Sequence, residues 1–233
     1  MKTIGIIGAG HIGSQLARLF LKSGYDVTIA NSREPDTLAE LVKGLGTASG
    51  SDGVPGVPTR GRARAATASE AATVGELVVV TIPLKNYRQV PVAPLVGKVV
   101  IDTNNYYPER DGHIPELDDG SVSSAELLQA HLPRSMVVKA FNHIRAAELT
   151  THGQPRGSSQ RRALAIAGND PAAKLTVAGI IDGFGFETVD LGPLAESWRI
   201  QPDTPGYGPR RTAEELRADL QAATHPGKAA HPR

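Results

Sequence analysis

The sequence predicts an α/β fold built on a doubly wound parallel sheet. Short apolar runs alternate with segments of helical spacing along the chain, which is typical of a parallel sheet covered by helices on both faces. The first run, residues 4–7, leads directly into the glycine-rich segment 8–13, and apolar residues then recur at helical spacing. This order of strand, glycine turn and helix is typical of a Rossmann fold, whose ligand crevice lies at the carboxyl ends of the strands.

The remaining elements are predicted from the same alternation of short apolar runs, which indicate strands, and segments of helical spacing. Pro171 predicts a helix start, and Thr212 with Glu215 three residues later predicts a capping box. The predicted helices after the first cover residues 35–45, 68–73, 123–131, 171–183 and 212–223. The predicted strands after the first cover residues 27–30, 62–66, 76–82, 99–103, 136–141, 162–168 and 186–191. The Gly-, Ser- and Pro-rich segment 46–60 predicts a loop, and the acidic segment 109–119 predicts a solvated one.

The glycine segment has the spacing that binds a dinucleotide. Gly8 permits the tight turn, Gly10 lets a pyrophosphate approach the backbone, and Gly13 lets the helix pack closely on the strand. The N-terminus of the helix offers N–H groups to phosphate. His11 occupies the variable position of the motif, and we expect it beside the pyrophosphate. An ordinary glycine turn is the alternative, but the position directly after a strand favours the dinucleotide.

The end of the second strand predicts which dinucleotide is bound. Asn31, Ser32 and Arg33 lie about 20 residues after the glycine turn, where an NAD-preferring protein usually places Asp or Glu. These residues donate hydrogen bonds, and the Arg33 guanidinium matches phosphate oxygens, so the cofactor predicted is NADP(H). Alternatively, Arg33 is a solvated residue before a helix that starts near Pro35.

Composition excludes several classes of function. The chain has 233 residues, 40% hydrophobic and 21% charged, enough for one domain or one domain with a small appendage. A net charge of +1 gives no case for a nucleic-acid partner. The absence of cysteine excludes disulfides and thiol catalysis, and the scattered histidines predict no metal site. Without a long apolar run or a signal peptide, we expect a cytoplasmic protein with no membrane contact.

Further site residues are expected where other strands end. Ile82 and Pro83 would form an apolar wall against a nicotinamide, and Asn104 and Asn105 would hydrogen-bond its carboxamide or a substrate. Asn142 would close the site from the sixth strand. For each Asn, the alternative is a side chain that satisfies the backbone of its own turn.

Lys139 is the one residue considered as a proton donor. A lysine in a buried strand can act as an acid, but it can also extend to the sheet edge or pair with a carboxylate. We therefore assign no catalytic residue from the sequence.

Five segments together resemble a known family. They are residues 8–13, 31–33, 80–83, 138–144 and 190–194. In this order they resemble the NADPH:coenzyme F420 oxidoreductase family, and they are also similar to the cytosolic reductase domain of the STEAP metalloreductases. The segments 138–144 and 190–194 discriminate more than the glycine motif, which is generic.

The resemblance implies an enzyme that transfers a hydride between NADP(H) and coenzyme F420, a deazaflavin stacked beside the nicotinamide. Direct transfer depends on proximity and ring alignment, so no acid, base or nucleophile is required. The resemblance also implies a homodimer. Carried over residue by residue, the cofactor-binding positions are Gly8, Gly10, His11 and Ile12 at the pyrophosphate, Ser32 and Arg33 at the 2′-phosphate, Ile82 and Pro83 at the nicotinamide, and Asn142, Pro193 and Leu194 at the deazaflavin.

The domain organisation predicted has three parts. Residues 1–150 form an NADP(H)-binding Rossmann domain, and residues 151–223 form a small α+β domain for substrate binding and dimerisation. The boundary falls near the Gly-, Pro- and Ser-rich segment 153–159. Residues 224–233 form a disordered tail.

The C-terminal segment departs from the family pattern and leaves the electron acceptor open. Trp198 and Tyr207 lie where an apolar helix is expected, and they could stack on a flavin, an imine or a carbonyl compound; for Trp198, packing in the core or an interface is the alternative. One alternative function is therefore NADPH-dependent reduction of a flavin, a ferric complex or a small imine or carbonyl acceptor. The other is a non-catalytic NADP(H)-binding sensor.

Overall fold

The computed structural model describes residues 2–46 and 61–225. Within them the strands are β1 Thr3–Ile7, β2 Asp26–Ala30, β3 Ala63–Ala65, β4 Leu77–Val80, β5 Val99–Asp102, β6 Met136–Lys139, β7 Ala163–Gly168 and β8 Glu187–Asp190. The α-helices are α1 His11–Lys22, α2 Ala39–Gly46, α3 Ala68–Val74, α4 Pro108–Asp111, α5 Pro115–Asp118, α6 Ser124–His131, α7 Ala146–Thr151, α8 Pro171–Gly183 and α9 Ala213–Ala222. Short 3₁₀ helices cover Pro35–Leu38, Leu84–Gln89, Ala93–Leu95 and Leu194–Ile200.

The strands form one sheet in the order β3-β2-β1-β4-β5-β6-β7-β8. β1 to β6 are parallel to one another, as the doubly wound prediction requires. From β1 the chain first adds strands on one side and then, from β4, on the other. The carboxyl ends of β1 and β4 therefore border the crevice in which ligands of this fold bind.

Alternate residues of the strands pack against helices on opposite faces. Leu77 and Val79 of β4 belong to a cluster with α1 and α8, whereas Val78 and Val80 belong to a second cluster with α3 and α6. Burial on both faces explains why the central strands read as continuous apolar runs in the sequence.

The C-terminal segment extends this sheet. β7 runs antiparallel to β6, with Lys139 opposite Ala167, and β8 is parallel to β7. The ring of Phe184, at the end of α8, packs 5.0 Å from the ring of Phe20 on α1. Residues 151–223 therefore share a sheet and a core with residues 1–150, and the division into two domains stays a prediction.

Most element predictions are confirmed, and the differences have local causes. The predicted helix 171–183 matches α8, and Thr212 and Glu215 form the predicted capping box. The predicted helix 35–45 begins as a 3₁₀ turn before α2. The acidic segment 109–119 contains α4 and α5, and its acidic residues are exposed as predicted except Asp111, whose side chain is fully buried and accepts hydrogen bonds from backbone N–H groups.

Two predictions concern mainly residues outside the described ranges. Residues 47–60 of the predicted loop and residues 226–233 of the predicted tail lie outside the described residues. Among residues 2–46 and 61–225, no helix combines the length and the apolar character that crossing a bilayer requires.

Candidate functional site

The three glycines of the motif have different structural roles. Gly8 has φ +114°, and a Cβ added there would lie 2.0 Å from the Thr81 carbonyl oxygen. A Cβ on Gly13 would lie 2.0 Å from the Gly8 carbonyl oxygen. A Cβ on Gly10 would meet nothing within 4 Å. The packing of β1, β4 and α1 thus explains Gly8 and Gly13, while the open space at Gly10 leaves room for a ligand.

The N-terminus of α1 points its polar groups into that space. Gly10 is the N-cap residue and offers no side-chain cap, and the first turn contains no acidic residue. The N–H groups of a first helical turn have no partner within the helix, and the helix dipole adds positive potential there. His11 is exposed, whereas Ile12 packs partly against the core, so Ile12 faces this space with its backbone.

The loop after β2 presents Ser32 and Arg33 to solvent. Asn31 Oδ1 accepts a hydrogen bond from the Arg33 N–H at 2.8 Å, and its Nδ2 donates to Thr37 Oγ1 at 2.9 Å. The Asn31 side chain thus satisfies the backbone of its own loop, which is the alternative role that the sequence suggests for Asn residues at strand ends. Ser32 and Arg33 are exposed, and the guanidinium of Arg33 has no ion pair or hydrogen bond within the described ranges.

Asn104 joins the ends of β4 and β5. Its Oδ1 accepts a hydrogen bond from the Ile82 N–H at 3.0 Å, and because a backbone N–H requires an oxygen acceptor, the amide orientation is determined. Asn104 is 3% exposed, and its Nδ2 has no hydrogen-bond partner in the described part of the chain. Ile82 is half-buried beside it and Pro83 is exposed.

Behind Asn104 lies a buried ion pair. Lys139 Nζ is 3.0 Å from Asp102 Oδ2, and both side chains are 0% exposed. Nζ also donates to Ser124 Oγ at 3.0 Å and to the Asn104 carbonyl oxygen. Burial lowers the pKa of Lys139 and raises the pKa of Asp102, while their mutual attraction opposes both shifts. With its three N–H donors engaged, Lys139 matches the alternative of a lysine paired with a carboxylate.

His143 is neutral and engaged on both ring nitrogens. Its Nε2 accepts a hydrogen bond from the Ala165 N–H at 3.1 Å, which places the ring proton on Nδ1, 3.5 Å from Asn142 Oδ1. Burial, aided by the charges of Arg162 and Lys139, lowers the pKa of His143 to about 3. A neutral, enclosed imidazole of this kind cannot supply a proton near pH 7.

Asn142 belongs to a hydrogen-bonded cluster. Its Nδ2 donates to Asn105 Oδ1 at 3.1 Å and to the Ile200 carbonyl oxygen at 2.6 Å. Asn105 Nδ2 in turn donates to the Asn142 carbonyl oxygen at 2.8 Å and to the Tyr207 hydroxyl at 3.2 Å. The amide hydrogens of Asn142 are thus committed within the protein, and a direct contact with a deazaflavin stays a prediction for this residue.

Tyr107 and Tyr207 form a hydroxyl pair at the edge of this cluster. Their oxygens lie 2.5 Å apart, and Tyr207 also accepts from Asn105. Two hydroxyl groups carry two protons, and their mutual bond uses one, so one O–H of the pair has no acceptor among the described residues. Burial raises the pKa of Tyr207, which keeps its hydroxyl protonated at neutral pH. No local sequence pattern predicts this pair, because its two residues are 100 positions apart in the chain.

The segment from Pro193 to Trp198 packs mainly into the protein. Leu194 is 0% exposed and its N–H donates to Asn169 Oδ1 at 3.0 Å, whereas its neighbours Pro193 and Ala195 are exposed. Leu194 therefore lies beneath the surface, and its predicted contact with a deazaflavin stays a prediction. Trp198 is buried, with the Arg199 guanidinium 4.3 Å from its ring centroid, so the packing interpretation of Trp198 holds.

The described residues form no candidate metal site. Within residues 2–46 and 61–225, no group of three or more histidine, aspartate or glutamate side chains could hold a metal ion. The predicted site residues lie instead at or after the carboxyl ends of β1, β2, β4, β5 and β6, except Pro193 and Leu194, which follow the edge strand β8.

Comparison with known proteins assigns the family. Residues 3–106 match the family described as NADP oxidoreductase, coenzyme F420-dependent. SMa0349, a protein of unassigned function from Sinorhizobium meliloti, is 30% identical, with a TM-score of 0.71 over 91% of this chain and 95% of that one. The chain belongs to the coenzyme F420-dependent NADP oxidoreductase family.

Two further relatives agree with the resemblance inferred from the motifs. A candidate F420-dependent NADP reductase from Arthrobacter sp. FB24 is 26% identical, with a TM-score of 0.63 over 84% of this chain and 87% of that one. Metalloreductase STEAP3 of Rattus norvegicus is 28% identical over 200 residues, which make up 85% of this chain and 35% of STEAP3. The chain spans little more than a third of the length of the curated relatives it matches.

Proposed function

We propose that this protein is an NADPH-dependent oxidoreductase that transfers a hydride between NADP(H) and the deazaflavin coenzyme F420. The observation that carries the proposal is the pairing of an open helix N-terminus with an unpaired arginine at the neighbouring strand end. A pyrophosphate fits the space beside Gly10, and the exposed Arg33 supplies the charge that a 2′-phosphate requires. Membership of an NADP oxidoreductase family supports the same cofactor.

The protein's own residues bind and orient the two rings. Backbone N–H groups at Gly10 to Gly13 would hold the pyrophosphate, and Ser32 and Arg33 would hold the 2′-phosphate. Ile82, Pro83 and Asn104 would contact the nicotinamide. Bound there, NADPH would supply the hydride and solvent the proton that convert the oxidised deazaflavin to its reduced form, with NADP⁺ as the other product. Because the hydride passes directly, the buried, engaged Lys139 and His143 have no step to catalyse.

An absorbance assay tests this proposal. Purified protein is mixed with NADPH and oxidised coenzyme F420, and loss of the visible deazaflavin band is followed, with NADH in a parallel cuvette. Bleaching driven by NADPH and hardly by NADH supports both the acceptor and the cofactor. NADPH binding by calorimetry without bleaching contradicts the acceptor, and binding without turnover of any acceptor favours the NADP(H) sensor.

A second candidate function, reduction of an imine or carbonyl compound, is favoured by the hydroxyl pair of Tyr107 and Tyr207. Such a reduction needs a proton on nitrogen or oxygen as hydride reaches carbon. Tyr107 lies on the segment that follows β5, the pair retains one uncommitted O–H, and burial keeps the Tyr207 hydroxyl protonated near pH 7. These are the properties of a proton donor to a small acceptor.

The two functions respond differently to loss of the hydroxyl groups. If an imine or ketone is the acceptor, Tyr107→Phe or Tyr207→Phe lowers turnover by about 10²–10⁴-fold, the contribution typical of a general acid. If coenzyme F420 is the acceptor, both variants keep turnover within about tenfold of wild type, since the hydride passes directly. A panel of deazaflavin, flavin, ferric chelate, cyclic imines and ketones separates these outcomes.

The family resemblance also supports a homodimer acting in the cytoplasm. Sedimentation velocity with and without NADPH measures the oligomeric state, and fractionation of cells that express the tagged full-length protein measures its location. A monomer at micromolar concentration would contradict the dimer.

A further inference from the structure

The buried ion pair of Asp102 and Lys139 has an unusual set of partners. Asp102 Oδ1 accepts a hydrogen bond from the Asn104 N–H at 2.9 Å, while Lys139 Nζ donates to the Asn104 carbonyl oxygen. The two charges therefore hold both backbone polar groups of a single residue. A third contact, from Nζ to Ser124 Oγ at 3.0 Å, anchors the lysine on α6.

Stability alone does not account for a pair of this kind. Both side chains are 0% exposed. Removing two charges from water is costly, and replacing a buried ion pair with apolar side chains of similar volume is often neutral or stabilising. Two apolar residues at these paired positions of β5 and β6 would continue the core that surrounds them. The pair is thus better explained by a role in positioning Asn104, whose backbone it binds.

The residue that it holds has an unsatisfied polar group beside the crevice. Asn104 Oδ1 is used by the Ile82 N–H, which leaves Nδ2 buried without a partner in the described chain. A buried donor without an acceptor carries a desolvation cost, and such groups call for an explanation such as a ligand. Asn104 lies next to Ile82, at the carboxyl ends of β4 and β5 where the crevice is expected.

We propose that Asp102 and Lys139 are positioning residues that orient the Asn104 amide to donate a hydrogen bond to the carboxamide oxygen of the nicotinamide. This inference rests on the proposed NADP(H) binding. The ion pair binds both the N–H and the carbonyl oxygen of Asn104, and the Ile82 N–H binds its side-chain oxygen. The Nδ2 group of Asn104 then remains as the donor that would bind the cofactor. This arrangement would strengthen binding of the nicotinamide end of the cofactor, whereas binding of the phosphates would not depend on it.

The test compares two ligands that differ in the nicotinamide. NADPH and 2′-phospho-ADP-ribose share the pyrophosphate and the 2′-phosphate, but only NADPH carries the carboxamide. Calorimetry on the full chain gives the affinity of each ligand for wild type, for Asn104→Ala and for the double variant Asp102→Leu/Lys139→Met, which removes both charges. Lys174→Met is the control, because it breaks an ion pair with Asp190 on β8, away from Asn104.

Loss of one hydrogen bond corresponds to about a five- to tenfold loss of affinity. We expect this loss for NADPH in both Asn104→Ala and the double variant, with 2′-phospho-ADP-ribose affinity within about twofold of wild type. Combining all three substitutions should add nothing further, because both changes remove one contact. Asp102→Asn, which keeps the side-chain shape, should lose NADPH affinity in the same direction and serves if the double variant does not fold.

Several results would overturn the inference. They are wild-type NADPH affinity in both the double variant and Asp102→Asn, equal losses for the two ligands, or a wild-type protein that does not prefer NADPH over 2′-phospho-ADP-ribose. In each case the phosphate-binding part of the proposed function survives. A wild-type protein that binds neither ligand would overturn the proposed function itself.

Discussion

Asp102 and Lys139 face each other on neighbouring parallel strands, with 3.0 Å between Oδ2 and Nζ and no solvent exposure on either side chain. Their positions in the register place the charges at the carboxyl ends of β5 and β6, beneath the crevice and out of contact with solvent. Removing one partner of such a pair leaves the other charge buried without compensation, which costs far more than the pair itself contributes.

Lys139→Met should therefore lower the free energy of unfolding by about 3–5 kcal/mol. Urea denaturation at pH 7 measures the change. The control is Lys174→Met, whose partner Asp190 has a side chain 51% exposed, and we expect a loss below about 1 kcal/mol there. Similar losses in the two variants would show that the Asp102 carboxylate is not desolvated.

Acid should partly restore the Lys139→Met variant. Burial already raises the pKa of Asp102, and without the ammonium group nothing nearby opposes that shift except the Asn104 N–H. The native variant then binds a proton that the unfolded chain releases above about pH 4, so the stability of Lys139→Met relative to wild type rises as pH falls from 7 towards 5. A difference in urea midpoint between wild type and the variant that stays the same or grows over this range would contradict the assignment.

Gly10→Ala and Gly13→Ala should separate ligand binding from folding. A Cβ on Gly10 meets nothing within 4 Å, so Gly10→Ala should keep its thermal midpoint near that of wild type and lose NADPH affinity, because the methyl group occupies the space of the pyrophosphate. A Cβ on Gly13 lies 2.0 Å from a carbonyl oxygen, so Gly13→Ala should unfold at a markedly lower temperature. Unchanged NADPH affinity in Gly10→Ala would place the phosphates elsewhere.

Local patterns were sufficient to predict the parallel sheet and to suggest where phosphates would bind. The strand, glycine turn and helix are adjacent in sequence, and Arg33 lies three residues after a predicted strand, so no long-range information was needed for either inference. The antiparallel β7 was not predicted, because direction within a sheet depends on how a connection closes. Likewise, Tyr107 and Tyr207 are 100 residues apart, and only the folded chain brings their hydroxyl groups together.

The roles of the buried polar residues also could not be predicted from local sequence patterns. For Lys139 the sequence left open an acid, an extended side chain or a paired one, since a lysine in an apolar strand is compatible with all three. The choice depends on Asp102 lying opposite it in the register, and strand order is a tertiary property. The unsatisfied Asn104 Nδ2 depends similarly on the approach of Ile82 from another strand.

Arg33→Ala should weaken NADPH binding by about 1.5–3 kcal/mol, the range for a hydrogen bond to a charged group, and leave NADH binding almost unchanged. The reason is that Arg33 is exposed and unpaired within the described residues, and only NADPH carries the 2′-phosphate that it would bind. Calorimetry with both cofactors gives the difference. Arg217→Ala is the control, because Arg217 is exposed on α9, which packs against β7 and β8 towards the opposite edge of the sheet. Equal losses for NADPH and NADH would contradict a role at the 2′-phosphate.

His143 should make the protein less stable as the solution is acidified. Its pKa is about 3 in the folded chain, against about 6.5 when unfolded, so between these values the unfolded state binds a proton that the native state does not. Its contribution to stability is complete above about pH 6.5 and falls with pH by up to about 1.4 kcal/mol per pH unit. Urea unfolding at pH 7 and pH 5 should therefore show a smaller decrease for His143→Gln than for wild type. His113→Gln, at a side chain that is 82% exposed, should keep the wild-type decrease. The same decrease in His143→Gln and wild type would mean that His143 is protonated, or solvated, in the native protein.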